Sequence, residues 1–363
     1  MKHNPRVLVV ATSRKTRGGI TSVVKAHETG EQWKKYHCRW IQTHRDGPAW
    51  RKVLYFVRAY LQFFFLVPFC DLVHIHVASY SSLKRKKYFM ALTKLWHKKV
   101  VAHFHPHKPE VLFEKSTQNE YIKFFKQADK IVALSPQWVK WLKEAINITD
   151  NVTYIFNPCP TVINRDVSNI EKEPFNGNYI LFAGTLYRRK GFDTLIKAFA
   201  KIAAKYPNWK VLLAGNPKEE KDAELMESLP NKLGIEKQIV FPGWIVGEDK
   251  DLMFRKAAVF CLASSAEGFP MAVLDAWAYG LPCVVTPAGG LPDIVEDGKN
   301  ALMFDYGDVD KLAVQLDRII SDDALRKSIA AESLKLAHTT FNIRNINKQI
   351  ERLYYNLING TNV

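Results

Sequence analysis

Short apolar runs alternate with amphipathic segments along most of this chain, and this alternation limits the folds it can adopt. Runs such as VLVVAT (7–12) and AVFCLA (258–263) have the length and composition of buried strands. Buried strands that alternate with helices form mostly parallel sheets with helices on both faces. The sequence therefore predicts an α/β protein with doubly wound sheets. The expected strands are 7–12, 71–79, 100–110, the start of 129–143, 179–184, 210–215, 239–244 and 258–263. A further strand is expected within 261–290, between a short helix and a Gly-Gly turn.

The chain is long enough, at 363 residues, for two domains with separate cores. Residues 158–178 lack periodicity and contain Pro, Asn and Gly, which favours a linker. We expect one domain over 1–170 and a second over 171–340. The segment from about 308 to 358 is predicted to be helical.

The positive charge of the chain is concentrated in its first half. Residues 1–170 hold 28 Lys and Arg against 11 Asp and Glu, whereas residues 171–363 hold 24 against 25. This excess is either a solvated basic surface or a face for anionic lipid or a phosphate-bearing acceptor. Nucleic acid is not expected as a partner, since no RNA-binding or zinc-finger signature accompanies the charge.

The five cysteines are scattered, with no CxxC pair and no metal-ligand spacing. This pattern favours buried thiols in a reducing compartment. The apolar run near the N-terminus is too short for a signal peptide and is interpreted as the first strand. We therefore expect a cytoplasmic protein, with peripheral attachment to the inner face of the membrane as an open alternative.

Residues 50–69 (WRKVLYFVRAYLQFFFLVPF) are strongly apolar and aromatic. A spanning helix needs about 20 mostly apolar residues, and Arg58 lies near the middle of this segment. Three alternatives stay open: a helix packed in the core, a helix dipping into a membrane surface, or a true span. Lys52, Arg58 and the run KRKK (84–87) are consistent with surface attachment.

The stretch 261–290 carries two acidic residues in a strand–loop–helix setting. Glu267 lies in the loop and Asp275 on the short helix, with Pro270 expected at the first helical position. The N–H groups of Met271 and Ala272 would then be free at a positive helix end that suits phosphate. Two hydroxyl-binding carboxylates beside an anion site predict a ligand that combines sugar and nucleotide.

Cations and glycines follow other predicted strands. Arg188, Arg189 and Lys190 lie between a strand end and a helix start, which indicates a phosphate site. Gly18 and Gly19 follow the first strand and permit close approach of a ligand, although a tight turn explains them equally well. His74 and His76 are interpreted as satisfied core residues. His105 is a candidate functional residue, because ligands bind at the carboxyl ends of parallel strands.

Together these motifs resemble the family 4 retaining glycosyltransferases of GT-B fold. The resemblance rests on GTLYRRKGFDTLIKAF, LLAGN, FPGW, EGFPMAVLD, AYGLPCVVTPAGGLPDIVEDGKNALMF and the Gly18-Gly19 loop. It implies two Rossmann-like domains facing a central cleft, with the last helix (341–358) packed on the N-terminal domain. It also implies transfer of a hexose or N-acetylhexosamine from a nucleotide-sugar to a saccharide or lipid-linked acceptor in cell-surface polysaccharide synthesis. UDP is the expected nucleotide, because the contacts of residues 243–245 with the base would be mostly backbone.

The resemblance also assigns roles to individual residues. Lys190 would neutralise the diphosphate, Glu267 would hold the donor sugar and Asp275 the ribose. His105 would lie at the reacting centre, and with Lys190 and Glu267 it forms the expected catalytic set. The expected donor-binding set is Gly18, Gly19, Thr185, Arg188, Arg189, Lys190, Trp244, Ile245, Glu267, Gly268, Phe269, Pro270, Met271, Ala272 and Asp275.

The sequence departs from the family pattern at two positions. Asp275 stands where the family usually has Glu, and Thr185 where it commonly has Arg; Arg188 or Arg189 is the expected replacement for that cation. No cofactor and no metal are expected, since the nucleotide-sugar is a co-substrate and Asp308-Val309-Asp310 is interpreted as a capping cluster. The alternative functions are a nucleotide-sugar epimerase of the same fold and a basic non-enzymatic protein that binds RNA or membrane.

Overall fold

Two six-stranded parallel sheets form the framework of the protein. A computed structural model describes residues 4–147, 150–159 and 178–361. The chain divides into two compact units, one of residues 1–160 and 341–363 and the other of residues 161–340. The boundary predicted at residue 170, and most of the predicted linker, lie outside the described residues.

The first sheet has the strand order β2-β1-β3-β4-β5-β6. Its strands are apolar because helices cover both faces, and β1, β3 and the last five residues of β4 are buried throughout. The strands are β1 (Val7–Ala11), β2 (Arg39–Gln42), β3 (Leu72–Val77), β4 (Lys99–Phe104), β5 (Lys130–Ala133) and β6 (Val152–Tyr154). The helices are α1 (Gly19–Glu28), α2 (Glu31–Lys35), α3 (Ala49–Leu66), α4 (Tyr80–Leu95), α5 (Glu110–Phe113), α6 (Lys115–Phe125) and α7 (Pro136–Ile146).

The second sheet has the order β12-β11-β10-β7-β8-β9. The strands are β7 (Tyr179–Ala183), β8 (Lys210–Ala214), β9 (Ile239–Val240), β10 (Val259–Leu262), β11 (Cys283–Val285) and β12 (Leu302–Met303). The helices are α8 (Phe192–Ile202), α9 (Glu220–Lys232), α10 (Gly247–Lys256), α11 (Met271–Ala278), α12 (Val309–Ser321) and α13 (Asp323–His338). The strand order confirms the predicted doubly wound topology.

The last helix, α14 (Ile343–Asn359), belongs to the first unit although it follows the second in the chain. Its buried side chains Ile346, Ile350 and Tyr354 join the core formed by β1 and its neighbours, including Val7 and Val9. Asn347 accepts a hydrogen bond from Gln32 and bonds the His27 ring, at 2.9 Å in both cases. The first unit is therefore built from two separate parts of the chain.

The helix α3 packs by one face only. Ala59 and Phe63 are buried, whereas Trp50, Leu61 and Phe65 are among its exposed large side chains. With the 3-10 turn that follows, Ala49–Phe69 is long and apolar enough to cross a membrane by length and composition alone, and 17% of its most apolar window is buried. A helix wholly packed in the core is therefore the wrong interpretation of this segment.

The basic run 84–87 differs from the expected surface cluster at one position. Lys84 and Lys87 are exposed, but Lys86 is 1% exposed and donates a hydrogen bond to the Thr43 hydroxyl at 2.5 Å. Burial lowers the pKa of Lys86 well below its usual value. The run lies on α4, so its side chains point in different directions around the helix, and one of them points inward.

The thiols are buried as predicted, except that Cys38 is half-buried. Several predicted strands are shorter in the structure. The strand expected over 100–110 ends at Phe104, and only Ile239–Val240 of 239–244 pairs in the sheet. The residues beyond these ends form the loops that carry the candidate site.

Candidate functional site

The strand order of the second sheet reverses between β7 and β10. The chain runs from β7 outward through β8 and β9, then returns to the other side of β7 with β10 and continues outward through β11 and β12. At such a reversal the loops after the two central strands diverge and leave a crevice at the carboxyl edge of the sheet, where open α/β sheets bind ligands. The loops after β7 and β10 contain most of the residues singled out in the sequence.

The loop after β7 is held against the end of β10 by a glycine. Gly191 has φ of +73°, and a Cβ there would lie 1.9 Å from the carbonyl oxygen of Ala263. The backbone N–H of Ser265 bonds the carbonyl of Arg189 at 2.8 Å. This close approach fixes the 3-10 turn Arg188–Lys190 beside the acidic loop.

A second glycine holds the acidic loop from its other side. Gly289 has φ of +62°, and a Cβ there would lie 1.9 Å from the carbonyl oxygen of Glu267. The N–H of Gly290 bonds the carbonyl of Gly268 at 3.0 Å. The Gly-Gly turn after β11 therefore supports the backbone that carries Glu267.

These contacts bring Lys190 and Glu267 together. The Lys190 ammonium donates a hydrogen bond to Glu267 Oε1, and the side chains are 22% and 9% exposed. Arg189 donates to the carbonyl of Ala266, so its guanidinium holds the acidic loop in place. Arg188 is exposed. A cation and a carboxylate thus lie side by side at the strand reversal, one suited to phosphate and the other to hydroxyl groups.

The helix α11 begins at Met271, one residue later than the sequence suggested. Pro270 is the N-cap, with φ of −72° and ψ of 111°, and not the first helical residue. The carbonyl of Pro270 accepts bonds from the N–H groups of Val273 and Leu274, at 3.2 and 3.4 Å. Met271 and Ala272 occupy the first two helical positions, where N–H groups have no partner within the helix. Phe269, which precedes Pro270, is buried.

Asp275 has a partner that the sequence did not reveal. Its Oδ2 accepts a hydrogen bond from Lys250 of α10 at 2.7 Å, and Asp275 is 8% exposed. A polar ligand at this carboxylate would share it with the lysine. No spacing in the sequence relates Lys250 to Asp275, because the contact depends on how α10 and α11 pack.

Two further loops end at the same edge of the sheet. Gly243, with φ of +78°, turns the chain before Trp244 and Ile245, and a Cβ there would lie 3.9 Å from the side-chain oxygen of Asn216, which follows β8. Thr185 is half-buried, and the N–H of the next residue, Leu186, bonds the carbonyl of Asn216 at 2.9 Å. The loops after β7 and β8 and the turn after β9 therefore lie near one another.

In the first sheet the strand order reverses between β1 and β3. Gly18 lies in the loop after β1 with φ of +142°, a conformation that side chains rarely adopt, and Gly19 begins α1. A Cβ on Gly18 would meet no atom within 4 Å, so the backbone conformation, not packing, accounts for glycine there. The loop occupies the ligand-binding edge expected for its sheet.

A ladder of four histidines crosses β3 and β4. His74 and His76 lie on one face of β3 and pair in register with Val101 and His103 of β4, while His105 follows β4. His74 bonds the Tyr354 hydroxyl at 2.7 Å and His103 at 3.2 Å, and His76 bonds His105 at 2.9 Å. His74 is the satisfied core residue that was expected. His76 is not fully satisfied, since its Nε2 is buried without a partner among the described residues.

One ligand nitrogen from each of His74, His76 and His103 lies within 4.8 Å of the other two, close enough to consider a shared metal ion. Their rings stack with interplanar angles of 9° to 30°. Ligands of one ion direct their lone pairs towards a common point, and near-parallel rings do not. The geometry therefore fits hydrogen bonding between neutral rings better than shared coordination.

His105 is buried at the carboxyl end of this ladder. The backbone N–H of His105 donates a hydrogen bond to the carbonyl of Val77 at 2.7 Å, which continues the β3–β4 pairing one residue beyond the strand. Burial lowers the pKa of His105 to about 3, so the imidazole is neutral at physiological pH. It can donate or accept a hydrogen bond but carries no charge there.

The Asp308-Val309-Asp310 sequence caps a helix, as predicted. Asp308 is the N-cap of α12 and accepts a hydrogen bond from the N–H of Lys311 at 2.8 Å. Asp310 pairs with Lys201 of α8 at 2.5 Å. Both carboxylates thus have partners in the helical layer.

Comparison with known proteins gives a consistent result. Residues 164–335 match the family model of glycosyl transferases group 1. The chain is 30% identical to the lipopolysaccharide core biosynthesis glycosyltransferase LpsE of Rhizobium meliloti over 58% of this chain and 59% of that protein. It is 26% identical to mannosylfructose-phosphate synthase of Agrobacterium fabrum over 70% of this chain and 60% of that protein. The chain thus spans between 44% and 60% of the length of such curated relatives.

A similar solved structure is that of Anabaena Alr3699/HepE in complex with UDP-glucose. Its TM-score is 0.75 at 18% identity, over 96% of this chain and 99% of that one. At this low sequence identity, the similarity shows that the two chains share a fold.

Proposed function

We propose that this protein transfers a hexose or N-acetylhexosamine from a nucleotide-sugar to a saccharide or lipid-linked saccharide, because residues 164–335 match the family model of glycosyl transferases group 1. The proposed nucleotide is UDP, and the proposed stereochemical outcome is retention. The proposed setting is the synthesis of cell-surface polysaccharide. The LpsE relative, named for lipopolysaccharide core biosynthesis, supports this setting.

The observation that carries the proposal is the pair of Lys190 and Glu267 at the strand reversal of the second sheet. Lys190 offers a positive charge to a diphosphate, and Glu267 offers oxygens to sugar hydroxyls. Binding of a donor would separate the two side chains and give each a new partner. The nearby start of α11, with the amides of Met271 and Ala272, adds donors for phosphate oxygens.

The chemistry follows from where charge develops. The bond between the anomeric carbon and the diphosphate oxygen breaks, and its electron pair stays on the diphosphate as the sugar becomes oxocarbenium-like. The acceptor hydroxyl attacks the same face of the anomeric carbon, and its proton passes to the departing phosphate oxygen. Lys190, Arg188 and the α11 amides stabilise the diphosphate as its negative charge increases, which lowers the barrier. This set of groups needs no metal ion.

The remaining donor contacts are assigned by position. Asp275 holds the ribose hydroxyls through its carboxylate while it keeps its bond to Lys250. Trp244 and Ile245 border the base. Thr185 lies beside the diphosphate, and Gly268, Phe269 and Pro270 shape the loop around the sugar. Arg188 replaces the cation that Thr185 does not supply, because Arg189 is engaged with Ala266.

His105 is proposed to contact the reacting sugar as a neutral imidazole. Its lowered pKa is incompatible with a role as a cationic acid near neutral pH. The Gly18-Gly19 loop is proposed to approach the donor closely through its backbone.

The Lys190→Ala and Glu267→Ala variants test the proposal. We expect each to weaken binding of UDP-glucose, measured by calorimetry, and to reduce transfer roughly a hundredfold, as for loss of one preorganised charge at a developing anion. Lys201→Ala, an exposed lysine on α8 paired with Asp310, is the matched control and should behave like the parent protein. Unchanged donor affinity and turnover in Lys190→Ala would refute the phosphate assignment.

A second measurement separates the transferase from an epimerase. An epimerase converts a UDP-sugar to its epimer without any acceptor, whereas the proposed enzyme does not. Incubation with single UDP-sugars, followed by chromatography of the sugar, should therefore show no epimer. Epimer formation that Glu267→Ala abolishes would favour the alternative.

A further inference from the structure

We propose that α3 seats the first unit on an anionic lipid bilayer, with the helix lying in the plane of the membrane surface. The contact is made by its outer stripe, which we define as Trp50, Leu54, Val57, Leu61 and Phe65. This inference rests on the surface of the first unit and does not depend on the proposed sugar chemistry.

The outer stripe is a continuous apolar line on one side of the helix. Its members follow one another at intervals of three or four residues, so they share a face. All five are exposed, from 45% for Val57 to 68% for Phe65. At 1.5 Å per residue the stripe is about 22 Å long. An exposed apolar surface of this length on a folded unit indicates a binding face.

The opposite face of α3 fixes the helix to the first unit. Phe56, Tyr60 and Phe63 surround the Phe89 ring of α4, with centroid separations of 5.9, 5.5 and 5.1 Å. A helix that inserted across the bilayer would have to leave this cluster and expose Phe89, which is fully buried. The helix is therefore placed to lie on a membrane, not to span one.

The charge around α3 identifies the membrane as anionic. Asp71 is the one acidic residue between Gly47 and Pro109 in the sequence. Arg51 and Arg58 are seven residues apart and lie along one flank of the outer stripe. The exposed Lys84 and Lys87 of α4 add to the positive charge. Basic residues beside an apolar helix face are attracted to anionic lipid, and the aromatic rings suit the headgroup boundary.

A second copy of the chain fits this face less well. A two-fold interface through the outer stripe would bring the arginines of both copies together, with no carboxylate on α3 to pair with them. Like charges held close in an interface oppose association. Lipid headgroups provide the missing anions.

Vesicle sedimentation tests the inference on the full chain. The parent protein should pellet with vesicles of phosphatidylglycerol and phosphatidylcholine, and much less with phosphatidylcholine alone. The double variant Leu61→Glu/Phe65→Glu should weaken binding roughly tenfold or more, because two side chains lose their apolar contact and gain negative charge. The matched control is Leu233→Glu/Val314→Glu, which alters two exposed apolar residues of the second unit.

Arg51→Glu/Arg58→Glu separates the electrostatic contribution from the apolar one. It should reduce the preference for phosphatidylglycerol and leave the far-ultraviolet circular dichroism unchanged. Equal binding to both vesicle types, or no loss in the Leu61→Glu/Phe65→Glu variant, would overturn the inference. The inference would also be overturned if sedimentation velocity showed a dimer that Leu61→Glu/Phe65→Glu converts to monomer, since the face would then join two copies. Transfer to a soluble acceptor should be unaffected, so failure of the docking and failure of the proposed activity are distinguishable.

Discussion

Two glycines set the position of the ion pair at the candidate site. Gly191 and Gly289 both have positive φ, and at each a Cβ would collide with a backbone carbonyl at 1.9 Å. A backbone oxygen cannot move aside as a flexible side chain can. The geometry of Lys190 and Glu267 therefore depends on two positions that carry no functional group.

Gly289→Ala should destabilise the second unit by about 2 kcal/mol or more, because the strain of positive φ adds to the collision with the Glu267 carbonyl. It should also weaken donor binding as that loop shifts. Gly298→Ala is the control, since Gly298 has φ of +77° but open space around it, and its cost should be about 1 kcal/mol. Urea unfolding and calorimetric titration with UDP-glucose measure both effects, and equal costs for the two variants would contradict the explanation.

Single residues were predictable where their chain position fixed their place in the fold. Lys190 and Glu267 each follow a strand, and the ends of neighbouring parallel strands meet at one edge. Lys250 and Lys86 were not predictable in the same way. The partner of Asp275 and the burial of one lysine in a basic run depend on helix packing, which periodicity does not specify.

At the scale of elements, α14 completes the first unit. Tyr354 of this helix is 2% exposed, and its hydroxyl bonds the His74 ring. Its ring packs edge-on against the Tyr36 ring, with the two centroids 5.4 Å apart. The neighbouring Tyr355 is 52% exposed. Adjacent tyrosines on one helix thus have opposite surroundings.

Tyr354→Phe should lower the free energy of unfolding of the first unit by about 1 to 3 kcal/mol, since it leaves the buried Nδ1 of His74 without its partner. Tyr355→Phe should change it by less than about 0.5 kcal/mol. Thermal unfolding of both variants at one pH provides the comparison. A similar loss in both would show that the His74 bond is not the cause.

Elements were predicted well where their pattern was long. The short strands β2, β6 and β12 were not predicted, because two to four residues give too little alternation to identify a strand. The apolar content of α3 was clear, but a segment with two apolar faces does not reveal which of them the fold covers. Pro270 was assigned one position too far into α11, an error of the size expected at helix ends.

At the scale of the whole molecule, the histidines are unevenly divided. All but one of the 11 histidines precede residue 160, and the exception is His338. Burial lowers the pKa of His27 to about 4 and of His105 to about 3, and it lowers those of His74, His76 and His103 well below 6.5. The first unit holds these neutral rings in its interior.

Acid should therefore unfold the first unit before the second. The unfolded chain binds a proton at each of these five histidines near pH 6.5, whereas the folded unit binds one at His27 only near pH 4 and at His105 only near pH 3. The stability that these neutral rings contribute is therefore full above pH 6.5 and falls as the pH is lowered. Each buried histidine should remove about 1.4 kcal/mol per pH unit in that range. Calorimetry combined with hydrogen exchange should follow the unfolding of each unit between about pH 7.5 and pH 5. The unfolding temperature of the first unit should decrease as the pH is lowered, while that of the second unit changes little.

His27→Gln should reduce the number of protons that the first unit takes up on unfolding by about one, because one titrating ring is removed. The pH dependence of its stability should become correspondingly less steep. Parallel loss of stability in both units, or an unchanged slope in the variant, would contradict the assignment.

The architecture as a whole was the most predictable level. The two doubly wound sheets and the GT-B fold expected from the sequence are confirmed, because each depends on many short patterns that agree with one another. The histidine ladder was not foreseen as a unit. Its members are separated in sequence, and only the register of β3 on β4 brings them together.

The return of α14 to the first unit has a consequence for synthesis on the ribosome. Residues 4–159 emerge first but lack Ile346, Ile350 and Tyr354, which emerge only after the entire second unit. The second unit is continuous in the chain and can fold as soon as it leaves the exit tunnel. The unit whose synthesis begins first is thus the unit completed last, and its core lacks these three side chains until α14 has been made.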